Sequence, residues 1–296
     1  MPASAPLPRR DTRGIVDPTE LLTRVRFRRH TPAPELRPYL EHYWLIDWEL
    51  PEPYASRVVP HPSVNVVFQR YGSPGAPSAE VAGVGLGLFT QELTDTGRVC
   101  GVQFRPGGFR PFAPAWPVSA WTGRRVPLGE VFPERGGPPE RGGSPEHGGS
   151  PEHGGEDALT AVLSPDDDHA RVAALDAFLL ARGPAPDPAA GQAMELVELI
   201  RSDRTVRKVS RLAAASGLSA RSLQRLFADH VGVGPKWVIL RYRIHEALER
   251  AEAAGAPDWA GLAAELGYSD QAHLVRDFTA TIKLPPTAYA RAVSVP

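Results

Sequence analysis

Short apolar runs typical of β-strands mark the first 130 residues. Four of them are rich in β-branched or aromatic side chains, and Gly, Pro and Ser separate them; they cover residues 57–60, 64–68, 81–84 and 98–104. Short strands at this spacing predict a sandwich or a barrel. The aromatic segment 33–48 fits either a strand or a strand preceded by a short helix. We therefore predict a mainly β front domain over residues 1–131.

Low-complexity sequence follows. Residues 132–155 form four tandem hexapeptides, FPERGG, PPERGG, SPEHGG and SPEHGG. Gly and Pro dominate them, so the segment buries too little apolar surface to offset the entropy of ordering, and we predict a disordered loop. Apolar residues at helical spacing then predict a helical extension of the front domain over 156–183. The proline-rich break at 184–191 predicts an interdomain linker.

The remaining segment, 192–296, contains an internal repeat with helical periodicity. The first copy spans Leu212 to Phe227 and the second Leu262 to Phe278. Each copy begins Leu-Ala-Ala, turns at a glycine, and resumes with a serine and a stripe of apolar residues four apart. Between the copies lies a helical stretch, residues 236–253, which is roughly 27 Å long at 1.5 Å per residue. This pattern predicts two helix-turn-helix units joined by a long helix.

The turns of both copies have the residues that such a motif needs. Gly217 and Gly267 suit the left-handed position that ends a helix. Ser219 in the first copy, and either Ser269 or Asp270 in the second, can accept hydrogen bonds from the first amides of the next helix. We predict second helices over 220–229 and 271–280, whose polar faces point away from the apolar stripe.

Composition and charge support this division. Residues 201–296 hold 14 basic and 9 acidic side chains, a net charge of +5, whereas the rest of the chain carries −6. A basic segment of this kind suits a polyanionic partner. The single cysteine, Cys100, excludes an internal disulfide and suits the cytoplasm. No apolar stretch is long enough to span a bilayer, so we expect no membrane association.

Four blocks of sequence in the C-terminal segment are specific enough to identify a family resemblance. They are Gly217-x-Ser-x-x-x-Leu-x-Arg-x-Phe227, Gly234-Pro235 with Arg243, Glu265-x-Gly-Tyr-Ser-Asp-Gln-x-His-x-x-Arg-x-Phe278, and Pro285-Pro286-x-x-Tyr289. Their order and spacing over residues 193–291 resemble the DNA-binding domain of the AraC/XylS family. The resemblance implies a transcription regulator that binds promoter DNA, with RNA polymerase and a second copy of the chain as further expected partners.

The resemblance also implies which residues meet DNA. Base contacts are expected from the second helix of each unit: Arg221, Gln224 and Arg225, then Gln271, Ala272, His273 and Arg276. Arginine suits guanine O6 and N7, and glutamine suits adenine N6 and N7. Phosphate contacts are expected from Arg207, Lys208, Lys236, Arg241 and Lys283. Arg225 and Arg276 also fit structural ion pairs, and His273 also fits a role in supporting the fold.

The front half resembles the N-terminal domain of an uncharacterised actinobacterial branch of the same family. The matching stretches are Arg57 to Phe68, Gly97 to Phe112 and Arg171 to Leu180. The resemblance implies a cupin-like β-barrel, so the whole chain is an α+β multidomain protein with an all-α tandem helix-turn-helix domain at its C-terminal end. The mouth of a barrel is a natural pocket for a small-molecule effector. By residue type its candidates are Trp44, His61, Asn65, Gln103 and Arg105.

Two other functions remain open for the front domain. A cupin-like enzyme would need closely spaced histidines and a carboxylate around a metal, but His30, His42 and His61 are scattered. Cys100 lies in an apolar run without an activating base nearby in sequence. We therefore expect neither catalysis, nor a cofactor, nor a metal. A purely architectural DNA binder would show weak sequence preference and no response to a ligand.

Overall fold

A computed structural model describes residues 14–72, 75–133, 153–254 and 258–293. The front part contains six strands, β1 (Arg26–His30), β2 (Leu40–Val58), β3 (Asn65–Tyr71), β4 (Ser78–Ala82), β5 (Phe89–Phe104) and β6 (Arg125–Pro127), and four helices, α1 (Pro18–Arg24), α2 (Leu128–Val131), α3 (His153–Leu163) and α4 (Asp168–Leu180). The predicted mainly β front domain is therefore confirmed. The open question about residues 33–48 is also answered, because β2 begins at Leu40 directly after turns.

The six described strands form one antiparallel sheet in the order β1-β2-β5-β3-β4-β6. Long strands β2 and β5 pair along almost their whole length, with a register shift between Leu50 and Tyr54. The end strands β1 and β6 each pair with one neighbour among the described residues, so hydrogen bonds do not close this sheet into the expected barrel. Helices cover one face of the sheet instead.

Helices α3 and α4 pack on that face and complete the main core. The rings of Phe68 on β3 and Phe178 on α4 meet edge to face, with centroids 5.3 Å apart. The buried Cys100 thiol on β5 lies 3.8 Å from the carbonyl of Val162 on α3. Burial raises the pKa of this thiol to about 11, so it is protonated and unreactive near neutral pH.

A network of ion pairs fixes α4 to the same face. Asp47 on β2 accepts hydrogen bonds from Arg28 on β1, Arg98 on β5 and Arg171 on α4, at 2.5 to 3.1 Å. Asp168, in the first turn of α4, accepts two hydrogen bonds from Arg28. Because Arg171 is only 1% exposed, its charge depends on these carboxylates for compensation.

Residues 134–152 of the predicted disordered loop lie outside the described residues. The last three residues of the repeats, 153–155, belong to α3, so the helical extension begins earlier than residue 156. The predicted linker is also shorter than 184–191. Proline at the first helical position and Asp187 as the cap, which accepts from the amides of Ala189 and Ala190, start the next helix at Pro188.

The described residues after this point form seven helices: α5 (Pro188–Ser202), α6 (Val209–Ser216), α7 (Ala220–His230), α8 (Pro235–Ala254), α9 (Trp259–Glu265), α10 (Gln271–Ile282) and α11 (Pro286–Val293). Their order and bounds confirm the two predicted helix pairs, α6–α7 and α9–α10, joined by the long helix α8. None of the described helices combines the length and the apolar character needed to cross a membrane.

Candidate nucleic-acid interface and effector site

The first helix-turn-helix unit is built as its sequence predicts. Gly217 ends α6 with φ 68°, a left-handed conformation that costs other residues steric strain. The Ser219 side chain accepts a hydrogen bond from the amide of Ser222 and so caps α7. Leu223 and Phe227 are completely buried on one face of α7. The opposite face exposes Arg221, Gln224 and Arg225, the three residues expected to meet DNA.

The second unit repeats this geometry with a different cap. Gly267 adopts φ 75°, and Asp270 rather than Ser269 accepts the hydrogen bond from the amide of His273. That bond holds the pKa of the Asp270 carboxyl below its ordinary value. Leu274 and Phe278 are buried against α9, where Trp259 meets Phe278 edge to face.

On α10 the structure separates the predicted reading residues into two groups. Gln271, Ala272 and Arg276 are exposed. His273 is half-buried, with Nδ1 3.2 Å from the Ser269 hydroxyl and its ring against Tyr268, 5.2 Å between centroids. Its local contacts support the turn of the second unit. A base contact by His273 stays a prediction, and it would compete with these interactions.

Arg241 does not fit its predicted role as a phosphate contact. It is only 5% exposed, and its guanidinium lies over the Trp237 ring, 4.4 Å from the centroid. One of its nitrogens donates to the carbonyl of Leu86 in the front domain at 2.9 Å. Burial lowers the pKa of Arg241 to about 10. The sequence could not reveal this burial, because it arises from the docking of the front domain on α8.

Several other contacts join the front domain to the DNA-binding helices. The Thr122 hydroxyl donates to the carbonyl of Gly232, at the turn between α7 and α8, over 2.6 Å. The imidazoles of His61 and His245 stack at 4.1 Å between centroids. Val16 and Val59 share a core with α8 and the second unit. The front domain thus rests on α8 and the α7–α8 turn, and leaves the polar face of α7 exposed.

Three of the five predicted pocket residues share the sheet face opposite α3 and α4. Asn65 on β3 and His42 on β2 both lie opposite Gln103 on β5, which places three polar side chains in one cross-strand row. Next to this row, the Trp44 ring packs against Gly101, where a Cβ would be 2.0 Å from the ring. Gly101 therefore has to be a glycine for the indole to occupy this face.

His42 was not among the predicted pocket residues, although it lies at the centre of this group. It is 7% exposed, and its Nε2 has no hydrogen-bond partner within the described part of the chain. Burial, with smaller effects of Arg29 and His61, lowers the pKa of His42 to about 3, so the imidazole is neutral. Only the strand register brings His42 beside Gln103, and that register could not be read from the sequence.

The other two predicted pocket residues do not belong to this row. His61 belongs to the domain interface through its stack on His245. Arg105 is exposed and donates to the carbonyl of Leu40, so it anchors the start of β2. An open cleft of about 450 Å³ lies at the far end of the sheet, but Asp47 and Arg98 in its lining already bond to each other. We therefore favour the row around His42 as the effector site.

Comparisons with known proteins match the front part and the C-terminal part of the chain to two different families. Residues 212–292 match the model of a family described as a helix-turn-helix domain. Residues 28–127 match a domain of unknown function, DUF6597. No curated protein is similar enough to count as a match.

Similar solved structures include three of ToxT from Vibrio cholerae. A 1.65 Å structure is 12% identical, covers 86% of this chain and 98% of ToxT, and has a TM-score of 0.41. A form bound to unsaturated fatty acid is 12% identical over 85% and 95%, with a TM-score of 0.39. A form bound to (E)-4-(8-methylnaphthalen-1-yl)but-3-enoic acid is 11% identical over 90% and 99%, with a TM-score of 0.42. We transfer no residue role from likeness at this level.

Two capped helix pairs with exposed polar faces define a DNA-binding protein. With the family match, residues 212–292 form a helix-turn-helix domain, and the chain is a DNA-binding transcription regulator.

Proposed function

We propose that this regulator recognises a bipartite DNA sequence with α7 and α10, and that a small molecule bound on the front domain modulates this recognition. The observation that carries the proposal is the exposed polar face of α7, which stays accessible although the front domain rests on the same unit. The proposal assigns no catalysis to the chain. It includes contact with RNA polymerase at the promoter. It also includes pairing of two copies of the chain, and light scattering, which measures the mass in solution, tests this pairing.

The DNA part of the proposal predicts a motif with two subsites. The full-length protein is incubated with a library of random duplexes, and bound DNA is sequenced after each round. Two reading helices on one side of a duplex should enrich two short subsites whose centres lie about 10 base pairs apart, one helical turn. An architectural binder would retain duplexes without enriching any motif, and that result would contradict the proposal.

The row around His42 supports the effector part. The Nε2 atom of neutral His42 is either a donor or an acceptor, depending on the tautomer, while the amides of Asn65 and Gln103 offer both. Among the described residues, no side chain or backbone group forms a hydrogen bond with these two side-chain amides, so a ligand can satisfy them. This chemistry fits a small polar molecule that carries donors and acceptors and an apolar part for the Trp44 ring.

A ligand panel tests this site. A molecule that binds the native state raises the melting temperature, and at about 100 times its dissociation constant it adds roughly 2.7 kcal/mol to stability. We expect Asn65→Ala and Gln103→Ala to abolish that shift and to leave DNA affinity without ligand unchanged. Thr90→Ala, at an exposed position of β5, is the matched control. An active ligand whose shift survives both variants would place the effector site elsewhere.

An enzymatic front domain finds less support. Within residues 14–72, 75–133, 153–254 and 258–293, no group of three or more His, Cys, Asp or Glu side chains could hold a metal ion. The raised pKa of Cys100 also argues against a nucleophilic role for its thiol. Metal-dependent turnover of a panel compound by the full chain would favour the enzyme.

A further inference from the structure

Arg207 makes a direct link between the two helix-turn-helix units. It lies between α5 and α6, next to the first unit. One of its terminal nitrogens donates to the carbonyl of Glu265, at the end of α9 in the second unit, over 2.5 Å. The carbonyl of Arg207 in turn accepts a hydrogen bond from Arg243 on α8 over 2.6 Å. Three parts of the domain therefore meet at one residue.

The side chain of Arg207 also packs closely against the turn of the second unit. A Cβ at position 267 would lie 2.4 Å from Cδ of Arg207, so Gly267 makes room for this side chain as well as for the turn. The guanidinium of Arg243 lies 5.5 Å from the centroid of the Tyr268 ring, in the same turn. Arg207 and Arg243 thus hold the turn of the second unit from two sides.

A second contact reinforces the same connection. Arg204, three residues before Arg207, forms an ion pair with Glu246 on α8 over 2.6 Å. The side chain of Arg207 also donates to the carbonyl of Arg204. The segment between α5 and α6 is therefore held against α8 and α9 together. Because two of its nitrogens already donate to backbone carbonyls, the guanidinium of Arg207 is less free to meet a phosphate than the exposed Lys208, Lys236 and Lys283.

Besides this link, the units are joined through α8 and through the front domain, which contacts the α7–α8 turn and shares a core with the second unit. A 20-residue helix spans about 30 Å and is stiff, but the chain enters it through Gly232, which adopts φ 92°, and Gly234. Both units also pack on α8, but these apolar contacts are non-directional and restrain rotation about α8 less than a hydrogen bond does. A hydrogen-bonded contact across the two units restrains that rotation.

We propose that Arg207 is a positioning residue that fixes the placement of α7 relative to α10 and thereby sets the spacing between DNA subsites that the protein prefers. The proposal rests on the bipartite recognition proposed above. It differs from the sequence-based expectation that Arg207 contacts a phosphate, and the two roles predict different measurements.

The first test needs no DNA. Spin labels are attached to full-length protein through Ala220→Cys and Ala280→Cys, two exposed positions on α7 and α10, while the buried thiol of Cys100 stays unlabelled. We expect a narrow distribution of label distances in the parent protein, a broad one after Arg207→Ala, and partial rescue by Arg207→Lys. Arg211→Ala, an exposed arginine on α6, is the control. An unchanged distribution in Arg207→Ala would overturn the proposal, whatever the DNA experiments show.

The second test uses duplexes whose subsites are moved apart or together by one or two base pairs. Arg207→Ala should bind the preferred spacing about tenfold more weakly, a loss of about 1.4 kcal/mol, and should discriminate little among spacings. Its salt dependence should match that of the parent protein. A phosphate contact would instead lower the salt slope by about one and weaken binding equally at every spacing, which would overturn the proposal. Failure of the parent protein to select any motif would count against the proposed function alone.

Discussion

Asp47→Asn is expected to destabilise the front domain by about 3 kcal/mol, because it removes the nearer of the two carboxylates that compensate the buried charge of Arg171. Arg171 is 1% exposed, and one of its nitrogens lies 3.0 and 3.1 Å from the two oxygens of Asp47. Arg28 and Arg98 bond to different oxygens of Asp47, and asparagine keeps only one oxygen, so one of these two arginines also loses its acceptor. Asparagine keeps the shape of the side chain, so the loss reports charge and hydrogen bonding rather than packing. Urea unfolding of the full chain measures it.

The effect should depend on pH in a definite direction. Burial alone would raise the pKa of Asp47, but hydrogen bonds from Arg28, Arg171 and Arg98 hold it below its ordinary value. Hydrogen bonding from Arg28 lowers the pKa of Asp168 to about 2. A carboxyl with a lowered folded-state pKa contributes stability above its unfolded value, near 4, and loses it as the pH falls through the folded value. The difference between parent and Asp47→Asn should therefore shrink as the pH falls below about 4.

Glu49→Gln is the matched control, because Glu49 is an exposed carboxylate two positions further along β2. It should change the urea midpoint little. Equal midpoints for Asp47→Asn and the parent protein near neutral pH would show that the ion network does not hold α4 on the sheet. A constant difference down to pH 2 would show that the carboxylate of Asp47 is not the group responsible.

The DNA-binding domain could be predicted closely because its signals are local. Gly217 and Gly267 end helices, and Ser219 starts the next one, through hydrogen bonds between residues two to four apart. The apolar stripes of α7 and α10 need only helical periodicity to be recognised. Even so, the sequence left two caps possible in the second unit. The choice of Asp270 depends on side-chain geometry at a single turn.

Contacts between distant segments could not be predicted in this way. The row of His42, Gln103 and Asn65 exists because of strand register, and residues up to 61 positions apart meet in it. Arg207 and Arg241 looked like phosphate contacts because a basic residue in a basic domain is usually exposed. Docking of the front domain buries Arg241, and Arg207 donates a hydrogen bond to the second helix-turn-helix unit. The pattern of hydrophobic residues along the chain does not predict such tertiary contacts of polar side chains.

Arg225→Ala and Arg276→Ala are each expected to weaken binding to the selected motif by about 1–3 kcal/mol. Both arginines are exposed on their reading helices, and neither makes a hydrogen bond or ion pair that is recorded in the described ranges of the chain. The alternative role of Arg225 and Arg276, in structural ion pairs, therefore finds no partner among the described residues. A free guanidinium on such a helix can contact guanine O6 and N7 together, and its loss should relax the preference at one base pair.

The controls separate base reading from general attraction. Arg201→Ala removes an exposed arginine of α5, which pairs with Glu198, and should change affinity for the motif and for unrelated DNA alike, if at all. Titrations at fixed ionic strength are needed because phosphate contacts weaken with salt. Wild-type affinity in both reading variants would refute the assignment of α7 and α10.

The two reading helices should contribute unequally to specificity. Helix α7 exposes Arg221, Gln224 and Arg225, while α10 exposes Gln271 and Arg276 beside the small side chain of Ala272. His273 is already engaged with Ser269 and Tyr268. Mutating every base of the first subsite should therefore cost more affinity than mutating every base of the second. The reverse order would mean that His273 leaves its local contacts on DNA, and His273→Ala would then lose affinity for the second subsite alone.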